Sequence, residues 1–265
     1  KQVFNHIKQC SENYTKDCYV LKLDIRAFFM HIKHDKLNQM LANLIRVHYF
    51  GPDKDILIKV VRQIITNKPQ QHCIRKGCVA DWRGLPKAKS LFFAGRGKGL
   101  PIGNLSSQIF ANFYLNAFDS FVAGGLNGLY GRYVDDMILI HKSKHFLMEM
   151  LVKVKQYLKG HYGLILHPRK IRLQHYNKGF DFIGAFLLPR RMYAGKRLKM
   201  MFFWQIKKLT NKSQDTALSV MNSYFGFLRH YKTLRLRLKG WALIQKQFQN
   251  FRIDKSALKV FCVGN

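Results

Sequence analysis

Acidic residues are scarce in this chain. Of 265 residues only 14 are Asp or Glu, against 46 Lys or Arg, which leaves a formal net charge of +32. Such an excess repels itself in a compact state, and a polyanion, most commonly nucleic acid, relieves the repulsion. Long hydrophobic runs are absent too: no stretch of 18 residues reads as a membrane span, and no basic amphipathic anchor stands out. Cysteine is sparse. Cys10, Cys18, Cys73, Cys78 and Cys262 are odd in number and scattered, which excludes a disulfide framework and suits a reducing compartment. His72-Cys73 with Cys78 makes half of a zinc pattern, and no second Cys/His pair completes it. The opening Lys1-Gln-Val-Phe-Asn-His6 is too polar for a secretory signal, and no Met precedes it, so the chain reads as beginning inside a longer protein. Neither an internal repeat nor a low-complexity segment is found.

What is present is enough for a substantial core: 48% hydrophobic and 14% aromatic residues, in one large domain or two smaller ones. Cys18–Asp24 is a β-rich run ending in a carboxylate, and Leu37, Met40, Leu41, Leu44 and Ile45 then recur at helical spacing. A basic, glycine-dotted stretch from Lys68 to Gly99 leads into Leu100–Gln108, which opens an apolar helix through about Val122. Leu129–His141 reads as a buried hairpin. Ser143 is placed to cap a second amphipathic helix carrying Leu147, Met150, Leu151, Val154 and Leu158. Gly163–His167 and Ile171–Leu173 are strand material. Strand, helix, hairpin, helix, strand is the order of a split βαβ, ferredoxin-like α+β sheet. From about Leu198 the pattern turns helical and basic, which places a boundary near Tyr193–Lys196. Residues 190–265 hold 17 Lys+Arg against Asp215 and Asp254, and interleaved aromatics (Tyr224, Phe225, Phe227, Tyr231, Trp241) suggest a helical core with a backbone-gripping face.

The tetrapeptide Tyr133-Val134-Asp135-Asp136 is the most informative motif. Two adjacent carboxylates at the turn of a buried hairpin repel each other and lose hydration, at several kcal/mol per ion. A divalent cation is the simplest compensation. An isolated Asp pair at a turn would more often point into water. In the ferredoxin-like order, however, Asp24 ends one central strand and Asp135-Asp136 lie between two others, so the three carboxylates converge.

With these residues in view, the chain resembles a reverse transcriptase. Leu21-Lys-Leu-Asp-Ile-Arg-Ala-Phe-Phe-Met30 resembles the strand of the first catalytic Asp, and Gly99–Gln108 the loop and helix under template and incoming nucleotide. Tyr133-Val-Asp-Asp136 resembles the YxDD hairpin. Leu164–Ile171 is similar to the lysine-bearing segment that follows, and Gly179–Phe186 to the primer grip. Ile102-Gly103 and Ser107-Gln108 stand where most such enzymes have Gln-Gly and Ser-Pro. Together with Asp81-Trp82, Gly84-Leu-Pro and Lys89-Ser-Leu-Phe92, that pattern is similar to the reverse transcriptases of diversity-generating retroelements of bacteria and phage.

The resemblance implies a polymerase palm followed by a helical thumb, with the palm over residues 1–195, the thumb over 196–265, and the fingers largely outside the chain. It implies error-prone copying of template RNA into cDNA that diversifies a target gene, with dNTPs, template RNA, RNA–DNA hybrid and a small basic accessory protein as partners in a bacterial cytoplasm. It implies two Mg2+ ions, replaceable by Mn2+, held by Asp24, the Ile25 backbone, Asp135 and Asp136, with Asp136 ranked below the other two as a ligand. Arg26 is open between contacting the triphosphate and pairing within the palm. Phe29 falls where the family places its steric gate, while one of Phe28 and Phe29 is a core aromatic. Ile102, unable to donate a hydrogen bond, is expected to loosen discrimination. Gly103, Asn104, Ser107, Gln108 and Tyr133 form the nucleotide and template side, although Asn104 and Ser106 also read as helix caps. Lys170 is the candidate proton donor to pyrophosphate, ahead of Arg169 and Lys178. Phe182, Ile183 and Gly184 place the primer end. The rivals are a group II intron or retron enzyme, which Ser107-Gln108 disfavours, a non-catalytic RNA-binding protein, which would have lost one of the three aspartates, and a metal-dependent nuclease, for which the chain has too few acids.

Overall fold

The computed structural model describes residues 2–74, 76–209 and 212–262. Chain contacts divide it into two compact units, residues 1–174 and 175–265.

The first unit is built on a four-stranded sheet in the order β2-β3-β1-β4, antiparallel between β2 and β3 and between β3 and β1, the ferredoxin-like arrangement. Its strands are β1 (Tyr19–Asp24), β2 (Tyr130–Tyr133), β3 (Asp136–His141) and β4 (Arg172–His175). β1 and β3 are nearly unbroken apolar runs because both of their faces are covered. Leu21 and Leu23 pair with Leu139 and Met137 and face a core that includes Phe118, Tyr114 and Leu147. Val20, Lys22 and Asp24 alternate onto the other face, opposite Ile140, Ile138 and Asp136. Helix α1 (Gln2–Cys10), buried through Ile7 and Cys10, lies against β2 and β3.

After β1 come the short helix α2 (Phe28–His31) and a helical hairpin, α3 (His34–His48) and α4 (Lys54–Thr66). The apolar spacing anticipates α3; α4 is an addition. Single turns of 3-10 helix follow at Pro69–Gln71, Val79–Trp82, Lys87–Lys89 and Leu91–Phe93. The helix expected from Leu105 onward breaks at Leu115 into α5 (Leu105–Tyr114) and α6 (Asn116–Gly125). Helix α7 (Lys144–Tyr157) starts at Ser143, whose hydroxyl accepts from the Phe146 N–H at 3.2 Å. Gly163–His167 is not a strand. It makes one bridge, Leu166 to Ile25, before Pro168, which lacks an N–H, opens a 3-10 turn.

The second unit begins at His175, earlier than the 193–196 boundary that composition suggests. The sheet β5 (Phe180–Phe182), β6 (Ala185–Leu188) and β7 (Arg191–Ala194) therefore groups with helices α8 (Lys196–Lys208), α9 (Gln214–Leu228) and α10 (Leu234–Gln245). The contact that composition hides is the Lys232 N–H donating to the Met192 carbonyl at 2.9 Å. Phe202, Ile206, Met221, Phe225, Trp241 and Ile244 form the helical core. A closing hairpin, β8 (Phe251–Ile253) and β9 (Val260–Cys262), is held to α9 by Asn222, which donates to the Val260 carbonyl at 2.9 Å and accepts from its N–H at 2.8 Å.

Candidate active site

The end of β1 is pinned from both sides. The Ile25 N–H donates to the Asp135 carbonyl at 3.1 Å, the His167 N–H donates to the Asp24 carbonyl at 2.7 Å, and the Arg26 N–H donates to Ile165 at 2.9 Å. These bonds set Asp24 between the hairpin turn and the segment leading to Lys170. Asp24 is only 4% exposed. Its carboxylate accepts from Lys170 Nζ at 2.5 Å, and on the same face Lys22 Nζ lies 3.8 Å from Asp136.

The two-residue turn between Tyr133 and Asp136 holds Val134 at φ 58°, in the left-handed region where a β-branched side chain is strained. Arg132 braces it. The guanidinium donates to the Val134 carbonyl at 2.9 Å, to Asp119 Oδ1 from Nε at 2.7 Å, and to Asp119 Oδ2 from Nη2, while the Tyr130 hydroxyl shares Asp119 at 2.9 Å. Burial pulls the Arg132 guanidinium down, but the bond and charge of Asp119 outweigh it and hold the group above its ordinary value.

An open cavity of about 410 Å³ collects Asp24, Ile25, Arg26, Phe28, Phe29, Ile102, Asp135 and Lys170. Burial, followed by the charges of Asp24 and Asp136, pushes the Asp135 carboxyl above the usual carboxylate range. Lys170 goes the other way: burial lowers it, and the hydrogen bond and charge of Asp24, with Asp136 and Asp135 behind, leave it above the ordinary lysine value. The cluster is thus a concentration of three carboxylates that the Lys170 and Lys22 ammonium groups offset only in part. Phe28 is buried in the core, edge to face with the half-buried Phe29 at 5.8 Å, and Arg26 is exposed.

Other expected residues lie outside this lining. Asp136 sits in β3, directly across from Asp24. Gly103 takes φ 109°, and Asn104 begins α5 without a side-chain cap bond. Ser107 is buried, whereas Gln108 and Tyr133 are exposed. Phe182, Ile183 and Gly184 belong to the second unit, where Phe182 is buried, Ile183 turns at φ 47° and the Gly184 carbonyl accepts from Gly195 N–H at 2.8 Å. His167 and Lys89 line the cavity without having been singled out from the sequence, and Arg132 with Asp119 was also missed. The proximity of His167 to Pro168 and Lys170 was the one available signal.

Among the described residues no three His, Cys, Asp or Glu side chains enclose a cation, His72, Cys73 and Cys78 included. Carboxylates from two neighbouring segments still fit Mg2+, which is commonly held by one or two carboxylates with substrate phosphates completing the shell.

Residues 2–187 match the family described as reverse transcriptase (RNA-dependent DNA polymerase). No curated protein matches the chain in sequence. Among solved structures it is similar to apo telomerase from Candida tropicalis, with 14% identity and a TM-score of 0.52 over 94% of this chain and 43% of that one. A form of that telomerase truncated from its C-terminal domain gives 15% identity and a TM-score of 0.51 over 73% of this chain and 39% of the other. Identities this low speak for the fold alone, and the chain spans less than half the length of either telomerase. With the family match extending over both carboxylate segments and the strand order around them, the chain belongs to the reverse transcriptase family.

Proposed function

We propose that this chain carries the nucleotidyl-transfer site of an RNA-directed DNA polymerase, which extends a primer with dNTPs on an RNA template. The observation that carries this reading is the meeting of Asp24 and Asp135 in one cavity with Lys170 and Phe29. Asp24 and Asp135, with the Ile25 backbone and Asp136 beside them, would hold two Mg2+ ions, or Mn2+ in their place, which supply Lewis-acid polarisation of the attacking and leaving oxygens. The chain's own groups do the rest. Arg26 and Lys89 bring cationic charge to the cavity for the triphosphate, and the backbone from Ile25 to Phe29 cradles it. Phe29 forms the wall against the ribose. Lys170, held protonated at neutral pH by the carboxylates, keeps a proton at Nζ for the departing pyrophosphate.

Within this class we read the chain as the diversity-generating type, working in a bacterial cytoplasm with template RNA, RNA–DNA hybrid and a small basic accessory protein. Ser107-Gln108 supports this, as does Ile102, which stands 69% exposed on the cavity wall and has no hydrogen bond to give. Residues 1–195 would then act as palm and 196–265 as the helical part of the thumb.

The decisive measurement is dNTP incorporation on a primed RNA template. Asp135→Ala should lower it by about a thousandfold or more, since one ligand of the charge-stabilising centre is lost, while RNA–DNA hybrid binding persists. Incorporation unaffected by Asp135→Ala would rule the site out. For the finer reading, Ile102→Gln should reduce misincorporation opposite template adenines in the same assay, and an unchanged error spectrum would remove Ile102 from the account of fidelity.

A further inference from the structure

Residues 79–93 run through successive single turns of 3-10 helix, Val79–Trp82, Lys87–Lys89 and Leu91–Phe93. Pro86, Ala88 and Lys89 line the carboxylate cavity, while Lys87, Ser90, Phe92 and Phe93 line a second cavity of about 430 Å³. One stretch of chain is therefore a wall common to both. Trp82 and Phe92 add aromatic surface to the second cavity, edge to face at 6.4 Å, and Arg83 adds a second cation. Trp82 is 41% and Phe93 61% exposed, and Lys87 Nζ stands 5.6 Å from the centre of the Phe93 ring. Exposed rings beside mobile cations are the means by which single-stranded nucleic acid is held: bases stack on the rings and phosphates meet the cations. An apolar peptide in this cavity would leave Arg83 and Lys87 without an anion.

We propose that the second cavity takes an unpaired base of single-stranded RNA, stacked on Trp82 and Phe93 with its flanking phosphates on Arg83 and Lys87. Identifying that strand as template not yet copied rests on the polymerase reading above; the stacking itself does not.

The test is fluorescence anisotropy of a labelled single-stranded RNA oligonucleotide titrated with the 265-residue chain. Trp82→Ala and Phe93→Ala should each weaken binding about tenfold, with Trp82→Phe keeping most of it because a stacking face remains. The slope of log affinity against log salt should stay constant in the aromatic variants and fall by about one in Lys87→Gln. Cys78 lines the cavity and Cys73 does not, while both are exposed. Bound RNA should therefore slow iodoacetamide alkylation of Cys78 relative to Cys73 in the unmutated chain, a readout that stands even if an alanine variant fails to fold. Unchanged affinity in both alanine variants, or equal protection of the two cysteines, overturns the proposal. None of these measurements needs turnover. Incorporation unaffected by Asp135→Ala, with Cys78 protected, would thus remove the polymerase reading alone, and Asp135-dependent incorporation that leaves Cys78 unprotected would remove this site alone.

Discussion

Val134 and Asp135 show how single residues make this site costly and hold it nonetheless. Val134 at φ 58° stores strain, and Asp135 sits above its ordinary pKa through burial and the charges of Asp24 and Asp136. A carboxyl whose pKa is raised on folding binds its proton more tightly in the folded than in the unfolded chain. Its stabilising contribution is therefore complete below the ordinary carboxylate value and is lost as pH rises through the raised one. Asp135→Asn should consequently melt at a higher temperature than the unmutated chain near neutral pH in EDTA, with the gap closing toward pH 4. Added Mg2+ should raise the melting temperature of the unmutated chain and not of the variant; thermal denaturation by circular dichroism across pH reads both. A gap independent of pH would mean that charge is not its cause. Asp24 and Asp135 were legible in the sequence because each interrupts an apolar run, where a charge needs a reason. Arg132 and Asp119 were not, because an Arg in so basic a chain looks like solvated surface and its partner lies on a separate helix.

Elements were legible where one periodicity ruled. α3 and α7 follow helical spacing into one covered face, β1 and the 129–141 hairpin are short apolar runs with polar residues at their ends, and the order of these elements was enough to give the sheet. α4 was obscured because its apolar face is broad and only partly covered: Ile65 is buried, whereas Ile56, Val60 and Ile64 are exposed. The break at Leu115 is a tertiary effect with no local signal, whereas Gly163–His167 is cut short as a strand by Pro168, a residue in plain view in the sequence. Glycines separate local preference from packing in the second unit. Gly226 in α9 has open space where a Cβ would stand, whereas a Cβ on Gly240 in α10 would lie 2.3 Å from the Phe202 ring and 2.9 Å from Ile206. Helix propensity favours alanine over glycine at both. Gly226→Ala should therefore stabilise by about 0.5–1 kcal/mol, while Gly240→Ala should destabilise by about 1–3 kcal/mol through overpacking. Urea unfolding followed by far-ultraviolet circular dichroism distinguishes them; shifts of the same sign would show that propensity rules at both positions.

At the scale of the whole molecule, composition and chain contacts divide the chain at different places. The basic, acid-poor tract suggests a boundary near residues 193–196; chain contacts and the Lys232–Met192 bond group residues 175–194 with the helices, a grouping that charge does not report. The charge itself leads to a measurable property. An excess of 32 positive charges over this length is self-repelling unless phosphates neutralise part of it. Binding then releases condensed counterions, and affinity falls linearly in log–log against salt, with a slope near 0.9 per phosphate contacted on a duplex. If six or more phosphates of an RNA–DNA hybrid are engaged, affinity should drop by about 10³-fold or more between 50 and 200 mM KCl. Asp135→Ala should leave that slope unchanged while abolishing incorporation, because the carboxylate belongs to the chemistry and the backbone grip does not depend on it. Anisotropy titrations over a salt series measure both. A shallow slope would mean that the charge serves something other than a nucleic-acid backbone, and a slope altered by Asp135→Ala would mean that this carboxylate helps to shape the grip as well as the chemistry.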